Sequence, residues 1–168
     1  MYFDHAFEGH ITNHGVGKTK VIIYKVIFLP PEFENHLPFK QYPRLRVEGE
    51  IADVPVRGAW LPVGDGRRYF IISPGVLKSA EVQIGDLVEM RFRIDDQDYV
   101  DMPTTLKIAV TKNPDIAQKW DNLTPGKRRM FASHVASAKT PKTEQKRLGE
   151  ALKAIRLECS LRDLRHHS

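Results

Sequence analysis

LVEMRFRIDDQDYVDMPTTLKIAV, residues 87–110, is the stretch that decides the fold. From its second to its eighth position every other residue is apolar, which is the period of a strand with one buried face. Further along, Ala109 and Val110 follow Leu106 at three and four positions, which is helical spacing. The change of period near Pro103 predicts a β-rich part before it and a helical part after it.

The part before Pro103 contains several more runs with a strand pattern, rich in β-branched and aromatic residues that pack well on a pleated surface. Turn residues separate these runs: a glycine-bearing connection at Thr12–Lys18, a tight turn at Gly64-Asp65-Gly66 and a hairpin tip at Asp95–Asp98. One or two helical turns are predicted after Pro74. Seven or eight short, evenly spaced strands are typical of a small barrel or a sandwich. The predicted strands are Phe3–Ile11, Lys20–Leu29, Arg44–Ile51, Val54–Leu61, Arg68–Ser73, Leu87–Ile94 and Tyr99–Met102.

The part after Pro103 carries three helix-start signals, which are Asn113-Pro114, Thr124-Pro125 and Thr140-Pro141. A small polar residue caps the first turn of a helix, and proline suits its first position. The residues expected to face the core are Met130, Phe131, Val135 and Ala138 in the second helix and Leu148, Ala151, Leu152, Ile155 and Cys159 in the third. The predicted fold class is therefore α+β, with a small β-barrel domain at residues 1–102 and a basic helical segment at residues 103–168.

Positive charge is concentrated at the C-terminal end of the chain. The formal net charge is +5, yet residues 127–168 alone hold eleven Lys and Arg against four Asp and Glu. The rest of the chain is therefore slightly acidic. Such asymmetry indicates an anionic partner, and a merely solvated helical face is the alternative interpretation.

Several classes of protein are not indicated by the sequence. With Cys159 as the single cysteine, an intrachain disulfide and a multi-thiolate metal site are excluded. The first residues do not show the cationic and apolar regions of a secretory signal. The most apolar run, Val21–Leu29, is too short to span a bilayer as a helix, which needs about 20 residues. We therefore expect a soluble, cytoplasmic protein.

The motifs that resemble catalytic or metal-binding signatures each have a simpler explanation. Gly15–Thr19 ends like a phosphate-binding loop, but Thr12 stands where that loop needs glycine and a strand pattern follows it. His5 and His10 fall on opposite faces of one predicted strand, so they do not converge on a metal. Asp95–Asp98 lacks the glycine and the glutamate of a calcium loop. The sequence thus predicts no catalytic residue, no metal ligand and no cofactor.

Two clusters are candidate binding sites for an anion or a partner. The first surrounds the turn at residues 64–66, where arginine beside an aromatic ring suits an anion or a nucleic-acid base. Its members are Arg57, Trp60, Arg67 and Arg68. The second places three cations in the first turn of a helix, where they oppose the helix dipole and so indicate a role in binding phosphate or an acidic surface. Its members are Lys127, Arg128, Arg129, Lys139, Lys142, Lys146 and Arg147.

Six short motifs follow one another along the first hundred residues. They are Leu29-Pro30, Arg46-Val47-x-Gly49-x-Ile51, Leu61-Pro62-x-Gly64-x-Gly66, Tyr69-Phe70-Ile71-Ile72, Ile84-Gly85-Asp86-x-Val88 and Met102-Pro103-x-x-Leu106. Their order resembles that of the DUF1905 family, a small bacterial domain of unknown function. The resemblance implies a double-split β-barrel, a fold shared loosely with small transcription-factor and antitoxin DNA-binding domains.

Two further motifs lie in the basic segment. They are Leu123-Thr124-Pro125-x-Lys127-Arg128 and Ala138-Lys139-Thr140-x-x-Thr143-x-x-Lys146-Arg147. They resemble the bacteriocin-protection, YdeI or OmpD-associated helical domain, which often occurs in tandem with DUF1905. The resemblance implies neither an enzyme activity nor a cofactor, and it suggests a role in protection against bacteriocin or envelope stress.

Three functions are consistent with these observations. The first is a non-enzymatic binding or interaction protein, with the barrel as the scaffold and the basic helices as the contact surface. The second is a nucleic-acid-binding regulator that uses the same helices, whose affinity would fall steeply with salt. The third is a small-ligand binder or an enzyme with its site at the barrel mouth. The sequence identifies no ligand, no partner and no oligomeric state.

Overall fold

The computed structural model describes residues 2–166. It divides the chain into two compact units between Gln97 and Asp98, which we name the β unit and the helical unit. The boundary expected from the sequence lies between residues 102 and 103. The predicted α+β class is confirmed, because antiparallel sheets form the first unit and helices form the second. None of the helices within residues 2–166 is long and apolar enough to cross a lipid bilayer.

The described strands of the β unit form two four-stranded antiparallel sheets, ordered β1-β8-β4-β5 and β2-β3-β7-β6. No ladder in residues 2–166 joins one sheet to the other, so closure into the expected barrel stays a prediction. The bounds are β1 His5–His10, β2 Thr12–Val16, β3 Ile22–Phe28, β4 Arg46–Ile51, β5 Val54–Ala59, β6 Leu61–Pro62, β7 Arg68–Ile71 and β8 Leu87–Ile94. A 3-10 helix at Pro31–Phe33 and the helix α1 at Pro74–Ala80 complete the unit.

Two buried residues each carry an edge strand from one sheet to the other. Ile11 is the single residue between β1 and β2, and Trp60 is the single residue between β5 and β6. The backbone N–H of Ile11 donates to the carbonyl of Asp86 at 3.0 Å, and that of Trp60 donates to the carbonyl of Leu45 at 2.9 Å. Both side chains join one core cluster, so the two sheets share a single hydrophobic core.

Aromatic rings occupy much of that core. The alternation predicted for β8 is confirmed for Val88, Met90 and Phe92, which are buried while the side chains between them are not. It is wrong for the last apolar position, Ile94, which is 42% exposed. The ring centres of Trp60 and Phe92 lie 5.5 Å apart at a steep angle, an arrangement that aromatic pairs prefer. Further rings packed in this cluster are Phe7, Phe33, Phe39 and Phe70. These rings pack together between the two sheets.

The connection predicted at Thr12–Lys18 is wrong for most of its length. Thr12–Val16 is strand β2, which pairs with Ile22–Val26 in antiparallel register. Cross-strand packing against β-branched residues outweighs the weak strand propensity of Asn13 and Gly15. The turn is confined to the residues after β2, where Gly17 has a φ of 120° that other residues rarely adopt.

The strand predicted at Tyr99–Met102 is also wrong, because no strand forms there. A hairpin after β8 would need a free edge on β8. Both edges are already taken, by β1 from His5 to His10 and by β4 from Val47 to Ile51. The sequence pattern could not reveal that β8 is a central strand.

The helical unit consists of α2 Thr104–Lys112, α3 Pro114–Asp121, α4 Pro125–Ala136, α5 Pro141–Arg156 and α6 Leu161–Leu164. The three predicted helix starts are confirmed. The side chains of Asn113, Thr124 and Thr140 each accept a hydrogen bond from a backbone N–H three residues later. Each cap satisfies an N–H that has no partner within its helix.

The core of the helical unit contains most of the apolar positions that the spacing predicts. Phe131 and Val135 of α4 and Ala151 and Ile155 of α5 are buried together. The prediction is wrong for Met130, which is 58% exposed. The preceding segment packs on this core through Leu106, Val110, Ile116 and Trp120.

Candidate functional site

Arg68, a member of the first predicted cluster, is fully occupied by contacts within the β unit. Its guanidinium donates to both carboxylate oxygens of Glu34 at 3.0–3.2 Å and to the carbonyl of Pro43 at 2.8 Å. It also lies over the ring of Phe39, 3.7 Å from the ring centre. These contacts use the planar fork and the face of the guanidinium at once, which leaves little of it for a ligand.

Arg57 lies in a network of charges that spans β4, β5 and β8. Its guanidinium donates to Glu48 at 2.6 Å and lies 2.9 Å from Asp95. Arg93 donates to the other oxygen of Glu48 at 2.7 Å. The hydrogen bonds from Arg93 and Arg57 hold the pKa of Glu48 below the ordinary value of a glutamate, because they stabilise its charged form.

The last two members of the first cluster differ in exposure. Arg67 is exposed, yet its guanidinium donates to Asp65 at 2.8 Å and lies 5.0 Å from the ring centre of Phe28. The backbone N–H and the guanidinium of Arg67 lower the pKa of Asp65. Trp60 is completely buried, so the prediction that its ring contacts a partner is wrong. The Trp60 indole N–H has no hydrogen-bond partner within residues 2–166.

Three members of the second cluster donate to backbone carbonyls of the helical unit. Arg128 donates to the carbonyls of Trp120 and Asp121 at 3.1 and 2.7 Å, where α3 ends. Arg147 donates to the carbonyl of His134 at 3.3 Å, near the end of α4. Arg129 donates to the carbonyl of Tyr99 at 3.1 Å. The last carbonyls of a helix lack partners within it, so the contacts of Arg128 and Arg147 have a structural role.

Lys119 plays the same part, although the sequence did not single it out. Its Nζ donates to the carbonyl of Arg156 at 2.7 Å, at the C-terminal end of α5. A cation near the last carbonyls of a helix is also favoured by the helix dipole. Sequence reasoning missed Lys119 because its partner lies 37 residues away.

The lysines of the second cluster differ from its arginines. Lys127, Lys139, Lys142 and Lys146 are exposed, and none of them forms an ion pair with another described residue. Lys153 of α5, which the sequence did not single out, also lies outside the ion pairs formed within residues 2–166. Lysine ammonium groups that form no ion pair remain available to an anionic partner.

Three of these lysines lie on one side of α5. Lys142, Lys146 and Lys153 follow one another at four and seven positions, which places them along one face of the helix over about 16 Å. We name this surface the lysine face. It is the longest run of exposed cations that the sequence places on a single described helix.

A cleft of about 550 Å³ adjoins the lysine face. A hydrogen bond lies at this cleft, with Nε2 of His134 on α4 2.7 Å from a carboxylate oxygen of Glu150 on α5. The other lining residues are Lys146, Gly149, Lys153, Leu161, Leu164 and Arg165. Two lysines beside a concave, partly apolar wall suit a carboxylate or a phosphate group of a partner.

No group of three or more His, Cys, Asp and Glu side chains within residues 2–166 is arranged to hold a metal ion. The three histidines of the N-terminal strands have other neighbours. His10 is hydrogen-bonded to the carbonyl of Gly85, and His14 packs on the rings of Phe28 and Tyr69. His5 lies 5.0 Å from the ring of Phe92.

Comparison with known proteins supports a relationship for the helical unit. No curated protein matches the chain. The resemblance of the first hundred residues to DUF1905 stays a prediction. Residues 100–157, which contain α2 to α5 and the lysine face, match the family described as bacteriocin-protection, YdeI or OmpD-associated.

Proposed function

We propose that this chain is a non-enzymatic binding protein that holds an anionic partner against the lysine face of its helical unit. The distribution of ion pairs carries this proposal. The arginines of the first cluster that reach the surface, Arg57, Arg67 and Arg68, each contact a carboxylate of the β unit. The lysines of α5 do not form such pairs within residues 2–166.

The biological role that we propose is protection of a bacterial cell against a bacteriocin, exerted from the cytoplasm. The family match of residues 100–157 supports it, and these residues include the whole lysine face. An acidic protein surface is the partner we favour, because isolated lysines form ion pairs without the strict geometry that arginine imposes.

The β unit would act as the scaffold. We infer that its two sheets close into one six-stranded barrel, because β1 continues into β2 at one edge and β5 continues into β6 at the other. Hydrogen exchange tests this inference. Slow exchange of the Ile11 and Trp60 backbone amides is expected of a closed barrel, and fast exchange at either would contradict closure.

A survival assay tests the proposed role. Cells that produce the full chain are challenged with a panel of bacteriocins and compared with cells that carry an empty vector. We expect higher survival with the wild type and loss of that advantage with Lys142→Glu, Lys146→Glu and Lys153→Glu combined. Equal survival of wild-type and empty-vector cells across the panel would refute the proposed role.

The matched control carries the same change of charge elsewhere. Lys78→Glu, Lys107→Glu and Lys112→Glu alter three exposed lysines outside the lysine face. We expect this variant to protect as the wild type does. If it loses protection equally, net charge rather than the lysine face is responsible.

Nucleic acid is the second candidate partner, because a row of lysines also suits a phosphate backbone. An electrophoretic mobility shift with double-stranded DNA and with RNA, at low and at moderate salt, tests it. Retardation at low salt that weakens with added salt and is lost in the lysine-face variant would favour this function. No retardation at low salt would remove it.

A further inference from the structure

The hairpin of β2 and β3 extends beyond the strand that flanks it. β3 pairs with β2 from Ile22 to Val26. On its other side β3 pairs with β7 only from Val26 to Phe28. Among residues 2–166, the segment Ile22–Tyr24 therefore has a neighbouring strand on one side and an open edge on the other.

The backbone at this open edge is oriented for pairing. The carbonyl of Lys25 accepts from Ile72 at 2.8 Å, and the N–H of Leu29 donates to Arg68 at 2.9 Å, so both residues face the β7 side. In an antiparallel ladder every second residue directs its N–H and C=O to the same side. The N–H and C=O of Ile23 therefore point to the open edge.

The side chains around this edge are unusually apolar for a surface. Val21, Ile22 and Ile23 are consecutive β-branched residues that are 57%, 48% and 58% exposed. Proteins normally protect such edges, because an exposed apolar edge pairs with other chains. Three exposed β-branched residues beside unpaired backbone groups fit a site for strand addition.

Charge distinguishes between the strands that could add here. Lys18 and Lys20 precede the apolar residues and Lys25 follows them. All three are exposed, and they form no ion pair within residues 2–166. A second copy of the chain, paired antiparallel around Ile23, would place its Lys25 opposite Val21, one position from Lys20. Positive charge would then gather at both ends of the pairing, which is unfavourable. An acidic strand would instead pair with these lysines.

We propose that the open edge of β3 is a docking site for an extended acidic peptide segment of another protein, which adds as a further strand beside Ile22–Tyr24. Its backbone would hydrogen-bond with Ile23, its alternate apolar side chains would cover Val21 and Ile23, and its flanking carboxylates would meet the lysines. Nucleic acid fits less well, because strand addition needs a partner backbone that both donates and accepts hydrogen bonds, whereas a phosphodiester backbone only accepts them.

Selection from a phage-displayed library of random twelve-residue peptides on the immobilised full chain tests this proposal. We expect enriched peptides with β-branched residues at alternate positions and Asp or Glu at both ends. Failure to enrich any peptide above a blank surface would overturn the proposal. Enriched peptides without acidic flanks would overturn the assignment of partner chemistry.

Affinity is then measured by fluorescence anisotropy with the most enriched peptide as the probe. Ile23→Pro removes the N–H at the open edge while the ladder with β2 uses other groups, so we expect at least tenfold weaker binding. An N-methylated form of the same peptide, which lacks backbone donors on one edge, should bind the wild type more weakly by a similar factor. Equal affinity for either change would mean that charge alone holds the peptide.

A second variant keeps the test decisive if Ile23→Pro does not fold. Ile22→Thr with Ile23→Thr preserves β-branching and the backbone but removes apolar contact area. We expect several-fold weaker binding and an unchanged circular dichroism spectrum. Sedimentation velocity of the wild type tests whether a second copy of the chain occupies the edge. A concentration-dependent dimer that Ile23→Pro abolishes would show that it does and would overturn the proposal.

Discussion

Gly49 on β4 lies against the backbone of Arg91 on β8, with no room between them for a Cβ atom. We expect Gly49→Ala to destabilise the protein by about 2 kcal/mol or more, because a methyl group would force two central strands apart. Urea denaturation followed by circular dichroism measures the change. Gly149→Ala is the control, because a Cβ atom at this position meets nothing within 4 Å. In a helix interior such as that of α5, alanine is more stabilising than glycine by up to about 1 kcal/mol. If Gly49→Ala has the stability of the wild type, the close approach of β4 and β8 is wrong.

Arg67 and Arg68 are neighbours in sequence with very different surroundings. Arg68→Lys should cost about 1–2 kcal/mol, because an ammonium group cannot make the two-pronged contact with Glu34 and stack on Phe39 at once. Arg67→Lys should change the stability by less than about 0.5 kcal/mol, because exposed ion pairs contribute little. Thermal denaturation of both variants provides the comparison. Equal losses would show that the Arg68 contacts do not stabilise the fold.

Glu48 makes the stability of the β unit depend on pH. Its pKa in the folded state lies below the ordinary value of 4.5, chiefly because of the hydrogen bond from Arg93. The carboxylate therefore stabilises the fold above pH 4.5, and this stabilisation is lost as the pH falls through the lower folded-state pKa. We expect Glu48→Gln to lower the free energy of unfolding by about 1 kcal/mol at pH 7. The loss is small because both arginines are partly exposed, and water screens their charges.

The difference between Glu48→Gln and the wild type should shrink when the same urea titration is repeated at successively lower pH below 4.5. Glu32→Gln changes an exposed glutamate outside this network and serves as the control. A Glu48→Gln difference that stays constant from pH 7 into the acid range would contradict the role of the two arginines.

Lys127 and Arg128 are adjacent cations of α4 with different roles. Arg128 has a structural role, whereas Lys127 remains available to an anionic partner. Arg128→Met removes hydrogen bonds to the carbonyls of Trp120 and Asp121 and should lower the stability by about 1–2 kcal/mol. Lys127→Met removes the same charge at the adjacent position and should change it by less than about 0.5 kcal/mol. Melting temperatures of the two full-length variants test this. A larger loss of stability for Lys127→Met than for Arg128→Met would contradict the structural role of Arg128.

Local signals in the sequence predicted the elements that depend on near neighbours. The caps at Asn113, Thr124 and Thr140 were predicted because a cap and its N–H lie three residues apart. The buried face of β8 was predicted because strand alternation is a local pattern. Both predictions required only knowledge of the chain within a few residues.

The candidate site depended on contacts that no local pattern contains. Arg68 meets Glu34 across 34 positions of sequence, which removes it from the predicted anion site. Trp60 was interpreted as a candidate binding residue, but its ring is buried in the core against Phe70 and Phe92. The open edge at Ile23 exists only because β7 ends before it reaches that residue.

By itself the sequence determined the α+β class, the change from strands to helices near Pro103, the helix starts and the concentration of positive charge toward the C-terminal end. The tertiary structure decided which cations remain available, because a charge is neutralised by whichever carboxylate or carbonyl the fold brings beside it. Of the cations in the two predicted clusters, it paired the arginines with carboxylates or carbonyls and left the lysines of α5 outside the ion pairs formed within residues 2–166.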